Sequence, residues 1–421
     1  MTFIEEVGRS LAPIVVVFVL SALLALVFTP IVRKTALRLR MVDRPNARRV
    51  NTRPIPRGGG MAIAAAFLLV AAPFVLLNEA QDWVPTPLNI ETGDLVALFV
   101  GGLAAAVIGA IDDFFDLRAR WQLTGQVLLA LAGVALGVLI TVVNNPFGPG
   151  VIRLVPPFSV GFTVFYIVGM INSINWIDGL DGLSTGIALT ASVTLGLISL
   201  TTQVSQPLIA VLCFALTGAL AGFLRWNFHP AKIFSGTTGV QFVGYTLAVL
   251  SVLGSAKVAV ALLVLGVPII DTFWIIVGRV SHRRSPFSPD RSHIHHRLLD
   301  LGLSHRDTVL VIYAICAALA LLALLVSEVT QAYAFISVFI VSGLILFGPT
   351  RGAFRRRAEL DAESYDRPDE QPAETNDHAD VPMLETHDHA GAPTDGAHLR
   401  PADLEAELER EPYELEGSAK G

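Results

Sequence analysis

Polar residues in most of this chain gather in short clusters separated by long apolar runs. Runs near the ~20 residues that a helix needs to cross a hydrocarbon core cover positions 11–32, 61–77, 94–111, 122–143, 158–174, 183–201, 206–224, 239–254, 258–278, 308–326 and 331–349. The pattern predicts an all-α polytopic membrane protein with about eleven transmembrane helices, the pair flanking Lys257 joined by the shortest connection. The first run is read as a true span: Glu5 and Glu6 spoil the basic start of a signal peptide, and the run is too long for one. From Arg351 the apolar pattern stops. Residues 1–350 are therefore expected to form one multi-span domain, and residues 351–421 an acidic tail that cannot bury enough apolar surface to order itself.

Charge adds an orientation. With eleven spans, 23 basic residues fall in the loops on one side of the membrane, against Arg9, Arg153 and Lys257 on the other. Basic loops stay in the cytoplasm, which predicts an outside N-terminus and a cytoplasmic C-terminus. The tail from 358 to 421 holds 19 acidic and 4 basic side chains, so the formal charge of −6 averages two unlike regions. Only 16% of residues are charged, against about 25% in soluble proteins, which argues against a water-soluble enzyme. Cys213 and Cys316 lie in apolar runs and form no metal or disulfide pattern. The tail histidines His378, His387, His389 and His398 read as solvated residues.

The unusual polar clusters fall in loops assigned to the cytoplasm. In GAIDDFFDLRAR, residues 109–120, Asp112 and Asp116 share a helical face at i,i+4 and Asp113 adjoins them. Three carboxylates so close repel one another at a membrane boundary, and a divalent cation would relieve that cost. The bland alternative is an acidic helix end balanced by Arg118 and Arg120. In NSINWIDGLDGLSTG, residues 172–186, Asn172, Asn175, Asp178 and Asp181 recur every third residue. A continued helix would present them on one face, and Gly179, Gly182 and Gly186 allow a break or close backbone approach. That stripe suits a phosphate–metal or sugar site; the alternative is a turn rich in Asn and Asp.

The longest loop between spans carries SPFSPDRSHIHHR, with His293, His295, His296 and Arg297. Zinc is one reading, but the histidines lack i,i+4 pairing and a Cys partner; donors to a nucleotide sugar are the other. RPNARRVNTRPIPRGGG, residues 44–60, is either a plain positive-inside loop or a phosphate-binding one. Asp271 lies inside the ninth run, either as a functional intramembrane acid or as a hydrogen-bonded cap near the inner interface.

Together the PNARR…PRGGG loop, IDDFFDLRAR, NSINWIDGLDGLSTG and SPFSPDRSHIHHRLL resemble the polyprenyl-phosphate N-acetylhexosamine-1-phosphate transferases, over roughly residues 10–350. This family begins envelope glycans such as lipopolysaccharide O-antigen and wall teichoic acid. The resemblance implies a multi-pass enzyme of the inner (plasma) membrane with its active site on the cytoplasmic face. It implies transfer of a sugar-1-phosphate, most simply GlcNAc-1-phosphate, from a UDP-N-acetylhexosamine to undecaprenyl phosphate, with release of UMP. Mg²⁺ is the implied cofactor, with Mn²⁺ as a substitute. By the same carry-over Asp112 and Asp113 serve metal and lipid phosphate, and Asp178 and Asp181 the catalytic centre. Asp178 and Asp271 are further candidate metal ligands; Arg49, Asn172, Asn175, His293, His295, His296 and Arg297 are candidates for substrate binding. A homodimer fits the expectation, and nucleic acid is not an expected partner.

Two departures stand out. The family usually carries Gly-Asp-(Thr/Ala/Ser)-Gly-Ser before the eighth span, and this chain reads GTTGV, with Thr237 in the acid's place and Val240 in the serine's. Arg49 and Asn51 stand where the family commonly has Lys and His. A hydroxyl is a poor substitute for a carboxylate on Mg²⁺. A catalytically weakened lipid- or nucleotide-sugar-binding relative is thus one alternative, and a transporter, whose acids would lie nearer mid-bilayer, is a second.

Overall fold

A computed structural model describes residues 3–43, 54–87, 90–145, 150–201, 204–254, 261, 265–281, 293–326 and 333–341. Arg49 and Asn51, most of the long loop before His293, and the acidic tail lie outside the described residues.

The chain is mostly helical. α1 spans Phe3–Arg38, α2 Gly60–Gln81, α3 Thr92–Val96, and α4 Gly102–Phe115, with a π turn at Ala97–Gly101 joining the last two. α5 follows at Ala119–Ala135, α6 at Pro156–Ile177, α7 at Leu183–Ser199, α8 at Pro207–Asn227 and α9 at Gly236–Leu253. α10 covers Gly266–Ser281, α11 Ile294–Asp300 and α12 His305–Leu325. Seven helical stretches among the described residues are long and apolar enough to cross a membrane. This is a polytopic helical membrane protein.

The helices fall on the apolar runs among the described residues, with one departure. The run at 122–143 does not stay helical. α5 stops at Ala135 in a Schellman closure, in which the Gly137 amide donates to Val134 O and the Val138 amide to Gly133 O, both at 3.1 Å. Gly137 holds φ at +122°, a region closed to most side chains. The β-branched residues beyond it form β3 (Val142–Asn144), paired antiparallel with β4 (Val151–Arg153). A second small pairing, β1 (Val42–Asp43) with β2 (Ile55–Pro56), brings the two ends of the basic loop together.

α8 and α9 sit at the centre. Every residue of α9 from Thr238 to Ser251 is buried, as expected of a helix apolar on all sides. α1 crosses α8 over Gly218 and Gly222, a GxxxG pair. A β-carbon at either glycine would strike the backbone carbonyl of Phe18 or Ala22, so the two helices meet backbone to backbone. The π turn at Ala97–Gly101 makes room for Tyr245 of α9, whose hydroxyl donates to Ala97 O at 2.9 Å.

The three glycines ending the basic loop have a structural use. The Gly59 amide donates to Phe234 O at 2.9 Å and the Gly60 amide to Ser235 O at 2.8 Å, while the Phe234 amide donates to Pro56 O at 2.8 Å. A β-carbon at Gly60 would overlap the backbone of Gly239, and one at Gly109 of α4 the backbone of Thr238. The segment entering α9 is thus gripped from two sides by backbone.

Candidate active site

The segment from His229 into the first turn of α9 receives three of the carboxylates that the sequence singled out, Asp113, Asp178 and Asp181. α4 ends at Phe115 because Asp116 turns left-handed, with φ at +48°. Just before that end, Asp113 is almost fully buried and points at the first turn of α9. Its Oδ1 accepts from the Thr237 amide at 2.8 Å, and its Oδ2 accepts from the Thr238 amide at 2.9 Å and the Thr238 hydroxyl at 2.6 Å. A carboxylate facing the exposed amides of a helix start is favoured by both hydrogen bonding and the helix dipole. Asp112 faces another way: its Oδ1 accepts from the Leu117 amide at 3.0 Å and from Gln122 Nε2 at 2.8 Å, closing the turn between α4 and α5. Asp116 pairs with Arg57 Nη2 at 2.6 Å.

The four-residue stripe of amides and carboxylates does not continue on one helix. α6 ends at Ile177, so Asn172 and Asn175 stay on the helix while Asp178 and Asp181 fall in the turn that follows. Gly182, at φ +77°, permits that turn. The glycines, not the three-residue spacing, governed the outcome. Asn172 Nδ2 donates to Gln126 Oε1 at 2.6 Å, and Asn175 is half-buried. Asp178 accepts from the Ser184 hydroxyl and, at 2.7 Å, from the Ser235 hydroxyl. Burial pushes the Asp178 carboxyl above its ordinary range, and the neighbouring Asp181 charge adds to the rise, against the two serine hydroxyls that oppose it. Burial works the same way on Asp181 but is outweighed. His229 Nδ1 at 2.8 Å and the Ala231 amide at 3.0 Å both engage its Oδ2, and with the two nearby imidazoles they hold this carboxyl below its usual range. Two carboxylates three residues apart therefore differ in proton affinity.

The histidine motif forms α11, whose start is anchored by Asp271. Asp271 Oδ2 meets His293 Nδ1 at 2.8 Å, and its Oδ1 accepts from the Ile294 amide at 3.0 Å. Asp271 thereby fixes the start of the histidine motif. His295 is 1% exposed and lies against Gly179, where any β-carbon would collide with its ring. Burial first, then the neighbouring His296, His293 and His305, pushes its imidazole down to about 3, so it is neutral at neutral pH. Its Nδ1 has no hydrogen-bond partner among the described residues. His296 and Arg297 are half-buried on the same short helix.

The carboxylates proposed for a metal do not gather. Asp112, Asp113, Asp178 and Asp271 each accept hydrogen bonds separately. No three of them form a group within reach of one ion among the described residues. Mg²⁺ often takes only one or two carboxylates and completes its shell with water and substrate phosphate. Asp178 fits that need, because its two partners are hydroxyls that can rotate away. Asp113 does not, because two backbone amides fix it. His229, His305, Ser184 and Ser235 were not singled out by the sequence. Each is an ordinary polar residue at the end of an apolar run, and only the hydrogen bonds to Asp178 and Asp181 distinguish them.

Comparison with known proteins gives the same reading independently. Residues 95–255 match the model of glycosyl transferase family 4. The chain is 36% identical over 345 residues to a probable undecaprenyl-phosphate N-acetylglucosaminyl 1-phosphate transferase of Bacillus subtilis, covering 79% of this chain and 90% of that one. It is 33% identical to the decaprenyl-phosphate N-acetylglucosaminephosphotransferase of Mycobacterium leprae, over 74% of this chain and 83% of the relative. A third relative, the undecaprenyl-phosphate alpha-N-acetylglucosaminyl 1-phosphate transferase of Thermotoga maritima, is 28% identical over 77% of this chain and 94% of its own. Shared identity at that level across nearly whole proteins places the chain in glycosyl transferase family 4, among the polyprenyl-phosphate N-acetylhexosamine-1-phosphate transferases.

Proposed function

We propose that the protein transfers N-acetylglucosamine-1-phosphate from UDP-N-acetylglucosamine to undecaprenyl phosphate, releasing UMP, as the first membrane step of an envelope glycan such as teichoic acid or lipopolysaccharide. The observation that carries this reading is the convergence on one short segment. Residues 229–238 hold Asp113 and Asp178 at α9 and Asp181 through His229 and Ala231. An oxygen of the lipid phosphate attacks the phosphorus that bears the sugar; the bond to the bridging oxygen breaks, and UMP leaves with the electron pair. Such transfers depend chiefly on positioning and charge neutralisation. Asp181, kept ionised, orients His229 for contact with an anionic partner. Asp178, with its raised proton affinity, lies where a proton or a cation offsets its charge. Mg²⁺, held by Asp178 with phosphate oxygens and water, would supply positive charge to the transferring group. The Nδ1 of His295, without a partner among the described residues, supports a donor-binding role for α11 together with His293, His296 and Arg297. Arg49 is assigned to substrate phosphate on its place in the basic loop.

In this reading eleven spans place the N-terminus outside and the C-terminus in the cytoplasm of the inner membrane, and the site faces the cytoplasm. The basic-residue distribution supports that orientation. A homodimer is compatible with it. A catalytically weakened relative is the second reading, favoured by Thr237, whose position lacks the family carboxylate. The test is incubation of the purified protein with radiolabelled UDP-GlcNAc, undecaprenyl phosphate and Mg²⁺, with UDP-GalNAc and UDP-MurNAc-pentapeptide in parallel. Labelled lipid from the first donor is the expected result. Bound but unreacted donor would favour the weakened relative, and neither outcome would leave the family activity without support in this chain.

A further inference from the structure

Among the described residues one group of three side chains is close enough to share a metal ion, and it is not the set that the sequence suggested. Asp181, His229 and His305 each offer one donor atom, and the three atoms lie within 4.8 Å of one another. They arrive from distant places: the turn after α6, the end of α8, and the first residue of α12. The His229 and His305 rings stack with centroids 4.3 Å apart. His229 Nδ1 lies 2.8 Å from Asp181 Oδ2, and the Asp181 amide donates to His305 Nε2 at 2.9 Å.

We infer that Asp181, His229 and His305 form a binding site for one divalent transition ion of the zinc, cobalt or manganese class. Two imidazoles and a carboxylate suit ions of intermediate softness, whereas Mg²⁺ prefers oxygen alone. The site is therefore distinct from any cation that travels with the donor diphosphate. Three protein ligands leave a fourth position for water or a phosphate oxygen, the arrangement of catalytic rather than structural sites. With metal–ligand bonds of about 2.0–2.1 Å, donors around a tetrahedral ion lie roughly 3.3 Å apart. The group must therefore contract by no more than about 1.5 Å, while Asp181 and His229 already lie closer than that spacing. The His229 side chain is 39% exposed, so its edge gives an ion a way in; Asp181 is 11% exposed and fixed by the Ala231 amide. An ion entering here displaces the Asp181–His229 hydrogen bond and, if it takes Nε2 of His305, the bond from the Asp181 amide as well, so the turn after α6 adjusts with it.

The test uses the full chain in detergent micelles, with His378, His387, His389 and His398 replaced by Ala so that the tail cannot compete. After chelator treatment, Co²⁺ titration should give one equivalent per chain with the intense visible absorption of a tetrahedral ion. Zn²⁺ should bleach it, and a hundredfold excess of Mg²⁺ should not. His229→Gln and His305→Gln should each weaken Co²⁺ binding by at least about tenfold, the low end for losing a partner of a metal site, while His296→Gln should not. X-ray absorption of the zinc-loaded parent, which needs no variant to fold, should show two imidazoles and one carboxylate. No Co²⁺ binding, binding unchanged in both His229→Gln and His305→Gln, or a shell of three or four imidazoles would overturn the proposal. No sugar donor or lipid is present, so failure here leaves the transferase reading standing, and an inactive transferase leaves this binding result standing.

Discussion

Asp113 and Thr238 are joined by two hydrogen bonds to one carboxylate oxygen, from the threonine amide at 2.9 Å and its hydroxyl at 2.6 Å. A third bond, from the Thr237 amide, ends on the other oxygen. Crowding among Asp112, Asp113 and Asp116 would make the loss of any one of them harmless to folding. The structure argues the opposite for Asp113, because it closes the start of the most buried helix. Asp113→Asn should destabilise the protein by about 1.5–3 kcal/mol, the scale of a charged hydrogen bond, and lower turnover indirectly, by loosening the segment that also holds Asp178. Thermal unfolding in detergent and steady-state kinetics check the two effects. An Asp113→Asn protein as stable as the parent would remove the capping role.

Asp178 gives a prediction with a pH signature. Its proton affinity is raised in the folded state, so the ionised form carries a folding penalty that the protonated form lacks. Asn mimics the protonated form and keeps one acceptor and one donor for Ser184 and Ser235. Asp178→Asn should therefore raise the melting temperature relative to the parent. The gain should be absent below the ordinary carboxylate range, grow as pH rises toward the elevated folded value, and level off above it. Turnover should fall at least about a hundredfold throughout. A gain independent of pH would contradict this account.

His295 behaves in the opposite sense. Its imidazole is held down to about 3 against an ordinary value of 6.5, so wild-type stability should be complete above about 6.5 and erode as pH falls from there toward 3. His295→Asn should flatten that slope in melting curves recorded between these limits. Because His295 rests on Gly179, Gly179→Ala should displace it. The expected result is at least about a tenfold loss in kcat/KM for the sugar donor, with the KM for lipid unchanged. A raised KM for lipid alone would reverse the assignment of α11 to the donor.

Thr237 stands in the first turn of α9 beside Asp113. Restoring the family acid with Thr237→Asp places a negative charge where the helix dipole favours it, yet close to another carboxylate. Without metal the variant should melt at or below the parent, and with Mg²⁺ above it. The Mg²⁺ concentration for half-maximal activity should fall severalfold. An unchanged midpoint would show that the site is complete without an acid at this position.

Much of this architecture was legible in the sequence because apolar runs of membrane length have few alternatives to helix. The run at 122–143 misled because apolar content continues past Gly137 while the backbone does not. In the site, the acids and histidines stood out as expensive groups near a membrane. What they touch did not, since Ser184, Ser235 and His229 lie 6, 57 and 48 positions from their carboxylates. Asp271 shows the same limit: the sequence marks a buried acid, but not that His293 and the Ile294 amide are its partners. Separations of that kind carry no periodicity.

The crossing of α1 over α8 sets an order of assembly. Ala22 and Gly222 meet backbone to backbone, yet 200 positions separate them. At synthesis rates of about 5–20 residues per second, α1 waits roughly 10–40 s in the bilayer before its partner is made. During that wait the positions of α1 that are buried in the finished protein, Ser10, Ser21 and Thr29 among them, meet lipid or an insertion chaperone. Gly222→Leu should leave each helix able to insert but deny α1 its resting place. The outcome would be a full-length product, correctly threaded and sensitive to protease, whose N-terminal helix never docks.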